Sequence, residues 1–337
     1  MSAIVLRNVS HRYGGQTALH DVSFAVAAGE IFGFIGPNGA GKTTTIRCIA
    51  TLLEPTTGSV EVMGHDVTIE PEIVRRRLGY MPDHAGVYER ITVREYLEFF
   101  ADAYGVGAVA GYAAVERVLR LTDLVKLGDR LVVSMSKGMK QRLQLARVLL
   151  HDPEVLVLDE PASDLDPRAR IEIRDLLLEL RGMGKTIFLS SHILSELADL
   201  CTSVAILERG RLVVAGPIAE IGARLEAQFS APMPAAHAYR SEGREPSPHP
   251  AATLHRARVR ALVPSADVVR ALAGVPNVRS AEAWQRQSVL VTYAGDDTTL
   301  AAVVRALVTA GVPVVGVEPE RNELERIFLQ ATRGEVQ

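Results

Sequence analysis

The chain has 337 residues, of which 47% are hydrophobic and 23% are charged, as in a globular protein long enough for two domains. Its formal net charge of −3 provides no broad basic surface for nucleic acid or for an anionic membrane. No run of eighteen apolar residues occurs, so we expect any work at a membrane to require a partner that spans it. Cys48 and Cys201 lack metal-ligand spacing, and we expect two inert thiols in a reducing compartment.

Residues 1 to about 220 alternate between strand-like and helical segments. Apolar runs predict buried strands at residues 30–36, 155–160 and 186–192, and helices at residues 42–53 and 168–184. This alternation predicts an α/β domain with a mostly parallel sheet and helices on both of its faces. Residues 84–150 interrupt the alternation with a mainly helical insert, in which Thr92 and Glu95 match the capping box of a helix.

The composition changes after residue 223. Residues 224–253 lack periodicity and contain five prolines, which exclude a helix or a central strand and predict a linker. Residues 254–337 begin with a βαββαβ order, which is the ferredoxin-like arrangement of a small α+β domain, and a last helix is predicted at residues 322–333. No catalytic cluster is evident there, so the sequence predicts an accessory domain.

A phosphate-binding loop is predicted at residues 36–44, whose sequence is GPNGAGKTT. Its glycines, Gly36, Gly39 and Gly41, allow a tight turn whose N–H groups point at phosphate oxygens. Lys42 would reach the β- and γ-phosphates and the Thr43 hydroxyl would ligate Mg²⁺, while Asn38 and Thr44 complete the loop. A chance Lys-Thr pair in a glycine-rich turn is the alternative, and the flanking strand and helix argue against it.

Carboxylates and a histidine follow two of the predicted strands. Asp159 would enter the Mg²⁺ shell and Glu160 would polarise the attacking water, although such a pair can also cap a loop. His192 could donate a hydrogen bond to a γ-phosphate, or be an ordinary surface histidine. Tyr13 could stack on adenine, although a lone tyrosine more often packs within the fold.

The helix that follows residue 135 has an unusually small and polar first turn. Ser136 is a good N-cap residue, and Gly138 costs about 1 kcal/mol against alanine within a helix. An N-cap serine followed by an unremarkable glycine is one interpretation. A helix N-terminus kept small so that it can bind an anion is the other.

Taken together, these motifs over residues 3–220 resemble the ATP-binding subunits of ABC transporters. The resemblance rests on the phosphate loop, the signature-like stretch 135–139, the strand and acidic pair at 155–160, the loop 163–166 and His192. The extra C-terminal domain and the stretches 88–105 and 190–207 are most similar to the ATPases of type-2 ABC exporters. The resemblance implies an ATP hydrolase that uses ATP and Mg²⁺ and drives a separate membrane permease from the cytoplasmic face, without nucleic acid.

Members of this family form head-to-tail homodimers with ATP between the phosphate loop of one copy and the signature helix of the other. The resemblance therefore assigns Ser136 and Gly138 to the nucleotide of the second copy, and Asp166 to alignment of the two copies at that site. Residues 84–90 would meet the permease. Tyr88 is a candidate contact there, with ordinary packing as the alternative.

The sequence departs from the family pattern at two places, in the signature stretch and at a position expected near Mg²⁺. Lys137 and Met139 replace a glycine and a glutamine of the signature, and Asp83 occupies the position of a glutamine that touches Mg²⁺ and water. Asp83 is thus a candidate Mg²⁺ ligand, or a cap of the helix or turn behind it.

Other functions within the same fold remain open from sequence. A non-transport ABC-type ATPase that acts on a macromolecular complex is the main alternative, yet only one phosphate loop and no sustained heptads are present. A nucleotide-gated binding module is disfavoured because Glu160 is present.

Overall fold

A computed structural model describes residues 1–83, 86–194, 197, 200–221, 254–285, 288–294 and 297–319. These residues belong to two compact units, one within residues 1–221 and one within residues 254–319. In the ranges given, no helix combines the length and the apolar character that crossing a membrane would require.

A six-stranded sheet forms the centre of the first unit. In spatial order its strands are β10 (Arg211–Pro217), β9 (Ser203–Glu208), β3 (Ile31–Ile35), β8 (Thr186–Ser191), β7 (Val155–Leu158) and β6 (Leu78–Met81). All neighbours are parallel except β10, which pairs with β9 in antiparallel fashion. Every residue of β3, β7 and β8 is buried, which confirms the strands predicted from the apolar runs.

A second, antiparallel sheet was not predicted from the sequence. Its strands, in spatial order, are β2 (Gln16–Ala27), β1 (Ser2–Tyr13), β4 (Thr57–Val62) and β5 (His65–Asp66). Phe24 of β2 stacks on Phe32 of β3 and on Phe188 of β8, with ring centroids 5.5 and 6.1 Å apart. One face of the central sheet is therefore partly covered by this sheet, whereas helices alone were expected there.

Helices complete the first unit. They include α1 (Lys42–Ile49), α2 (Pro71–Arg77), α3 (Val93–Ala103), α4 (Ala108–Leu121), α5 (Lys137–Val148) and α6 (Pro167–Gly182). The predicted helical insert corresponds to α3, α4 and α5, which share one core with the central sheet. The predicted capping box is present, since Glu95 N donates to Thr92 Oγ1 (3.2 Å) and Thr92 N donates to Glu95 Oε2 (2.8 Å).

The second unit has the ferredoxin-like arrangement that its sequence predicts. Its elements are β11 (Leu254–Ala261), α7 (Ser265–Leu272), β12 (Val278–Gln285), β13 (Ser288–Ala294), α8 (Asp297–Thr309) and β14 (Val314–Pro319). The strands form one antiparallel sheet in the order β12-β13-β11-β14. Val259, Val289 and Val291 of the sheet pack against Val268 and Leu307 of the helices. The predicted linker and the helix predicted at residues 322–333 lie outside the described residues.

Candidate functional site

Polar residues follow the carboxyl ends of five strands of the central sheet. The phosphate loop follows β3, Asp159 follows β7, His192 follows β8, Arg209 follows β9, and Asp83 lies two residues after β6. Because these strands are parallel, their carboxyl ends meet at one edge of the sheet, where open α/β sheets bind ligands. A cavity of about 650 Å³ lies there.

Most of the predicted site residues line this cavity. They are Tyr13, Asn38, Gly39, Gly41, Lys42, Thr43, Thr44, Asp83, Asp159, Glu160 and His192. Tyr13 lies at the cavity with 46% of its surface exposed, and its ring meets that of His11 edge-on at 4.6 Å. It is therefore available to a ligand on its other side.

The glycines of the phosphate loop are required for different physical reasons: lack of space at one position and left-handed backbone at two others. A Cβ at Gly36 would lie 2.4 Å from the Leu207 carbonyl oxygen, so that position has no room for a side chain. Gly39 (φ 78°) and Gly41 (φ 106°) adopt left-handed backbone, which glycine reaches without steric cost. Gly41 is also the N-cap of α1, so the loop delivers the positive end of that helix to the cavity.

Lys42 is held at the centre of the loop. Its buried Nζ donates to the Gly36 carbonyl oxygen at 2.8 Å and lies 3.5 Å from Glu160 Oε1. An ammonium group held in this way offers a fixed positive charge to a phosphate.

Asp159 is almost completely buried, with 2% of its surface exposed, and both of its carboxylate oxygens accept hydrogen bonds. Thr43 Oγ1 donates to Oδ2 at 3.1 Å, and Ser190 Oγ donates to Oδ1 at 2.6 Å. The buried carboxylate is thus oriented from both sides, with one oxygen directed at the phosphate loop.

Glu160 and His192 form a pair at the cavity. His192 Nδ1 lies 2.8 Å from Glu160 Oε2, so the imidazole and the carboxylate share a hydrogen bond. The Glu160 side chain is mostly buried and that of His192 is partly exposed. The carboxylate is consequently fixed between Lys42 and His192 and can accept a proton from a water held beside it.

Asp83 is exposed and lines the same cavity. Burial raises the pKa of the Tyr80 hydroxyl, and the negative charges of Asp159 and Asp83 raise it further, against the opposing effect of Arg47. The phenol therefore stays protonated at neutral pH. Asp83 and Asp159 both line the cavity, so the two negative charges act at one site.

Three predicted residues have roles within the helices of their own chain. Ser136 caps α5 by accepting from Met139 N (3.3 Å), and Asp166 caps α6 by accepting from Ala169 N (2.9 Å). A Cβ added at Gly138 would lie 2.8 Å from the Ala169 Cβ, so α5 approaches α6 closely at this point. None of these three residues is among the described residues that line the cavity.

The sequence interpretation missed several residues of the site. Gln16 and Arg209 line the cavity, and Ser190 orients Asp159. Arg209 could have been found, because it directly follows the apolar stretch that forms β9. Ser190 could not, because only the pairing of Leu158 with Leu189 in the parallel sheet brings it beside Asp159.

Comparisons of the sequence with a family model and with known proteins identify the same family. Residues 19–163 match a family model described as ABC transporter. The daunorubicin resistance ATP-binding protein DrrA3 of Streptomyces coeruleorubidus is 40% identical over 222 residues, which cover 66% of this chain and 70% of that protein. The Nod factor export ATP-binding protein I of Burkholderia lata is 39% identical over 216 residues, which cover 64% of this chain and 71% of that protein.

Solved structures agree in fold. One described as the ATP binding subunit of an ABC transporter is 34% identical, with a TM-score of 0.60 over 68% of this chain and 93% of that one. The cbiO1 protein of Clostridium perfringens, described as part of the ABC transporter complex cbiONQ, is 26% identical. Its TM-score is 0.61, over 67% of this chain and 92% of that one. This chain therefore belongs to the ABC transporter family, as an ATP-binding subunit that hydrolyses ATP.

Proposed function

We propose that this chain hydrolyses MgATP to drive a separate membrane-spanning permease, and that the assembled transporter is an exporter. The observation that carries the proposal is the convergence of the phosphate loop, Asp159, Glu160 and His192 on one cavity. Export is supported by relatives whose names refer to drug resistance and to Nod factor export.

Each side chain of the cavity has a defined task in this proposal. The loop N–H groups, the start of α1 and Lys42 bind the phosphates, and Tyr13 stacks on the base. Glu160 accepts a proton as a water oxygen bonds to the γ-phosphorus and the bond to the ADP oxygen breaks. His192 donates to the γ-phosphate through Nε2, and in its doubly protonated form it also donates from Nδ1 to the Glu160 carboxylate and orients it.

We propose that Thr43 and Asp159 hold Mg²⁺, which would neutralise charge on the phosphates. The donor set fits, because a hydroxyl and a carboxylate are hard oxygen ligands. Their oxygens lie 3.1 Å apart. Neighbouring ligands of an octahedral Mg²⁺ with bonds of about 2.1 Å lie about 3 Å apart, so both oxygens can bind one ion with little movement. Asp83 would join this shell directly or through a water.

A second copy of the chain would complete the site. Ser136 and Gly138 form a small N-terminal turn on α5, yet they do not line the cavity of their own chain. In a head-to-tail dimer this turn would face the γ-phosphate of the other copy, and Asp166 would help align the two copies.

The permease would dock beside the helical insert, holding the chain at the cytoplasmic face of the membrane. Within residues 84–90 the structure describes 86–90, where Tyr88 is 57% exposed. Its ring packs edge-on against the exposed Phe99 of α3 at 5.6 Å. Two exposed aromatic rings provide an apolar contact for a partner helix.

We further propose the domain limits suggested by the sequence. The ATPase domain would comprise residues 1–223, with its helical insert at about 84–150, followed by a linker at 224–253 and an accessory domain at 254–337. All the site residues named above lie in the first of these segments.

Purification from membranes tests the proposed transport function. The tagged chain should copurify with an integral membrane protein, and its ATPase rate should change when the pair is reconstituted in vesicles. The proposal would be contradicted if the chain associated with ribosomes or another non-membrane assembly and its ATPase rate did not change with vesicles that hold the candidate permease.

A further inference from the structure

The backbone of Glu160 is left-handed, with φ 50°. A residue other than glycine, asparagine or aspartate is uncommon in this region, because its side chain makes the left-handed conformation sterically unfavourable. Such a conformation persists only where the surrounding structure fixes it. The contacts that hold the backbone around Glu160 therefore decide where its carboxylate lies.

Three hydrogen bonds hold the backbone of Glu160 and Pro161 in place. Glu160 N donates to Ser190 Oγ at 3.0 Å, and Ser163 N donates to the Glu160 carbonyl oxygen at 3.1 Å. The third comes from α5, where Gln141 Nε2 donates to the Pro161 carbonyl oxygen at 2.7 Å. The first two come from the neighbouring strand and from the loop itself, so Gln141 ties the loop to a different part of the fold.

The hydrogen bond from Gln141 restrains the loop strongly because of its burial and its length. The bond is partly buried and short, and only the amide nitrogen can face a carbonyl oxygen. A second contact between α5 and the same loop joins Lys137 Nζ to Asp164 Oδ2 at 3.0 Å. Both side chains of that ion pair are largely exposed, so water screens it and it contributes little. Gln141 is consequently the stronger of the two attachments.

We propose that Gln141 is a positioning residue for ATP hydrolysis. By holding the Pro161 carbonyl it keeps the left-handed backbone of Glu160, and hence the Glu160 carboxylate, between Lys42 and His192. Gln141 is not among the described residues that line the cavity, so it acts through the loop and not on the nucleotide. The inference rests on the proposed role of Glu160 as the group that polarises water.

Three substitutions of similar length separate hydrogen bonding from packing. In the full-length protein, Gln141→Met removes the donor, Gln141→Glu places a carboxylate against the carbonyl, and Gln141→Lys retains a donor. We expect kcat to fall about tenfold in the Met variant and further in the Glu variant, while the Lys variant keeps most of the activity. The Kd for ATP should change less than twofold in all three, because the phosphate loop is untouched.

Lys140→Met is the matched control on the same helix, since its ion pair is with Glu89 and not with the loop. It should keep the wild-type kcat. Wild-type kcat in both Gln141→Met and Gln141→Glu, or losses in kcat that follow only the thermal midpoints of the variants, would overturn the inference and leave the proposed function intact. Wild-type protein that binds ATP without hydrolysing it would contradict the proposed function, and this inference with it.

Discussion

At Gly138 two physical requirements coincide. The sequence suggested a small residue that lets a helix N-terminus approach a phosphate, and the structure adds a requirement within the chain. A Cβ at this position would meet the Ala169 Cβ at 2.8 Å, closer than side-chain carbons pack. Glycine is thus explained by the contact between α5 and α6 alone, and the proposed nucleotide role needs its own test.

Gly138→Ala should lower the free energy of unfolding by about 1–3 kcal/mol, because α5 and α6 must move apart. The double variant Gly138→Ala/Ala169→Gly relieves that contact, with Ala169→Gly alone as the control for its helix-propensity cost. Urea unfolding and ATPase assays on the three proteins separate the two roles. Stability recovered without activity would support the nucleotide role, whereas full recovery of both would assign Gly138 to packing only.

Asp83→Gln should change the Mg²⁺ requirement of the enzyme. An exposed carboxylate that lines the cavity together with Asp159 adds repulsion toward a triphosphate, and bound Mg²⁺ would offset that repulsion. The variant should therefore shift the Mg²⁺ concentration for half-maximal ATPase activity more than it shifts ATP affinity at saturating Mg²⁺. Superimposable Mg²⁺ titrations, with only thermal stability altered, would instead identify Asp83 as a cap.

At the scale of elements, the sequence predicts what local patterns determine. Continuous apolar runs identified β3, β7 and β8, and the Thr92–Glu95 pair identified the start of α3. The antiparallel sheet was missed, although in β2 the buried residues Val22, Phe24 and Val26 alternate with exposed ones, which is the signal of a half-buried strand.

The contacts that long-range pairing determines could not be predicted. Ser190 reaches Asp159 through the register of β7 and β8, and Gln141 reaches Pro161 through the packing of α5 near the loop. Neither pair has a spacing rule along the chain. The residues that line the cavity and are proposed to bind phosphate were therefore predictable, whereas those that hold them in place were not.

His151 links the helical insert to the central sheet. Its Nε2 lies 3.1 Å from the Leu78 carbonyl oxygen of β6, and its ring packs 4.5 Å from that of Tyr104, just after α3. Burial lowers the pKa of the imidazole below its usual value of 6.5, although the Leu78 carbonyl acts in the opposite direction. The neutral form is therefore favoured in the folded protein.

This lowered pKa predicts a pH dependence of stability. The unfolded chain binds a proton at His151 more readily, so the contribution of the neutral ring is present above pH 6.5 and is lost as the pH falls below it. Urea unfolding between pH 7.5 and 5.5 should show a smaller loss of stability in His151→Gln than in the wild type. Equal losses in the two proteins would show that other groups cause the dependence.

At the scale of the whole molecule, the proposed site and the C-terminal unit are separate along the chain. The described residues that line the cavity all lie between Tyr13 and Gly210, and the ferredoxin-like unit begins at Leu254. A protein ending near residue 225 should therefore bind ATP with an affinity similar to that of the full chain, as measured by calorimetry. A large loss of affinity, with the far-UV dichroism of a folded protein, would show that the domain limit is wrong.

The central claim is that two copies hydrolyse ATP with Glu160 polarising the attacking water. Light scattering on the Glu160→Gln variant with MgATP tests it most directly, because the amide cannot accept the proton while the phosphate loop is unchanged. We predict an ATP-dependent dimer, with turnover reduced by at least about a hundredfold and ATP still bound. A variant that hydrolyses ATP at the wild-type rate, or that stays monomeric with ATP bound, would contradict the account.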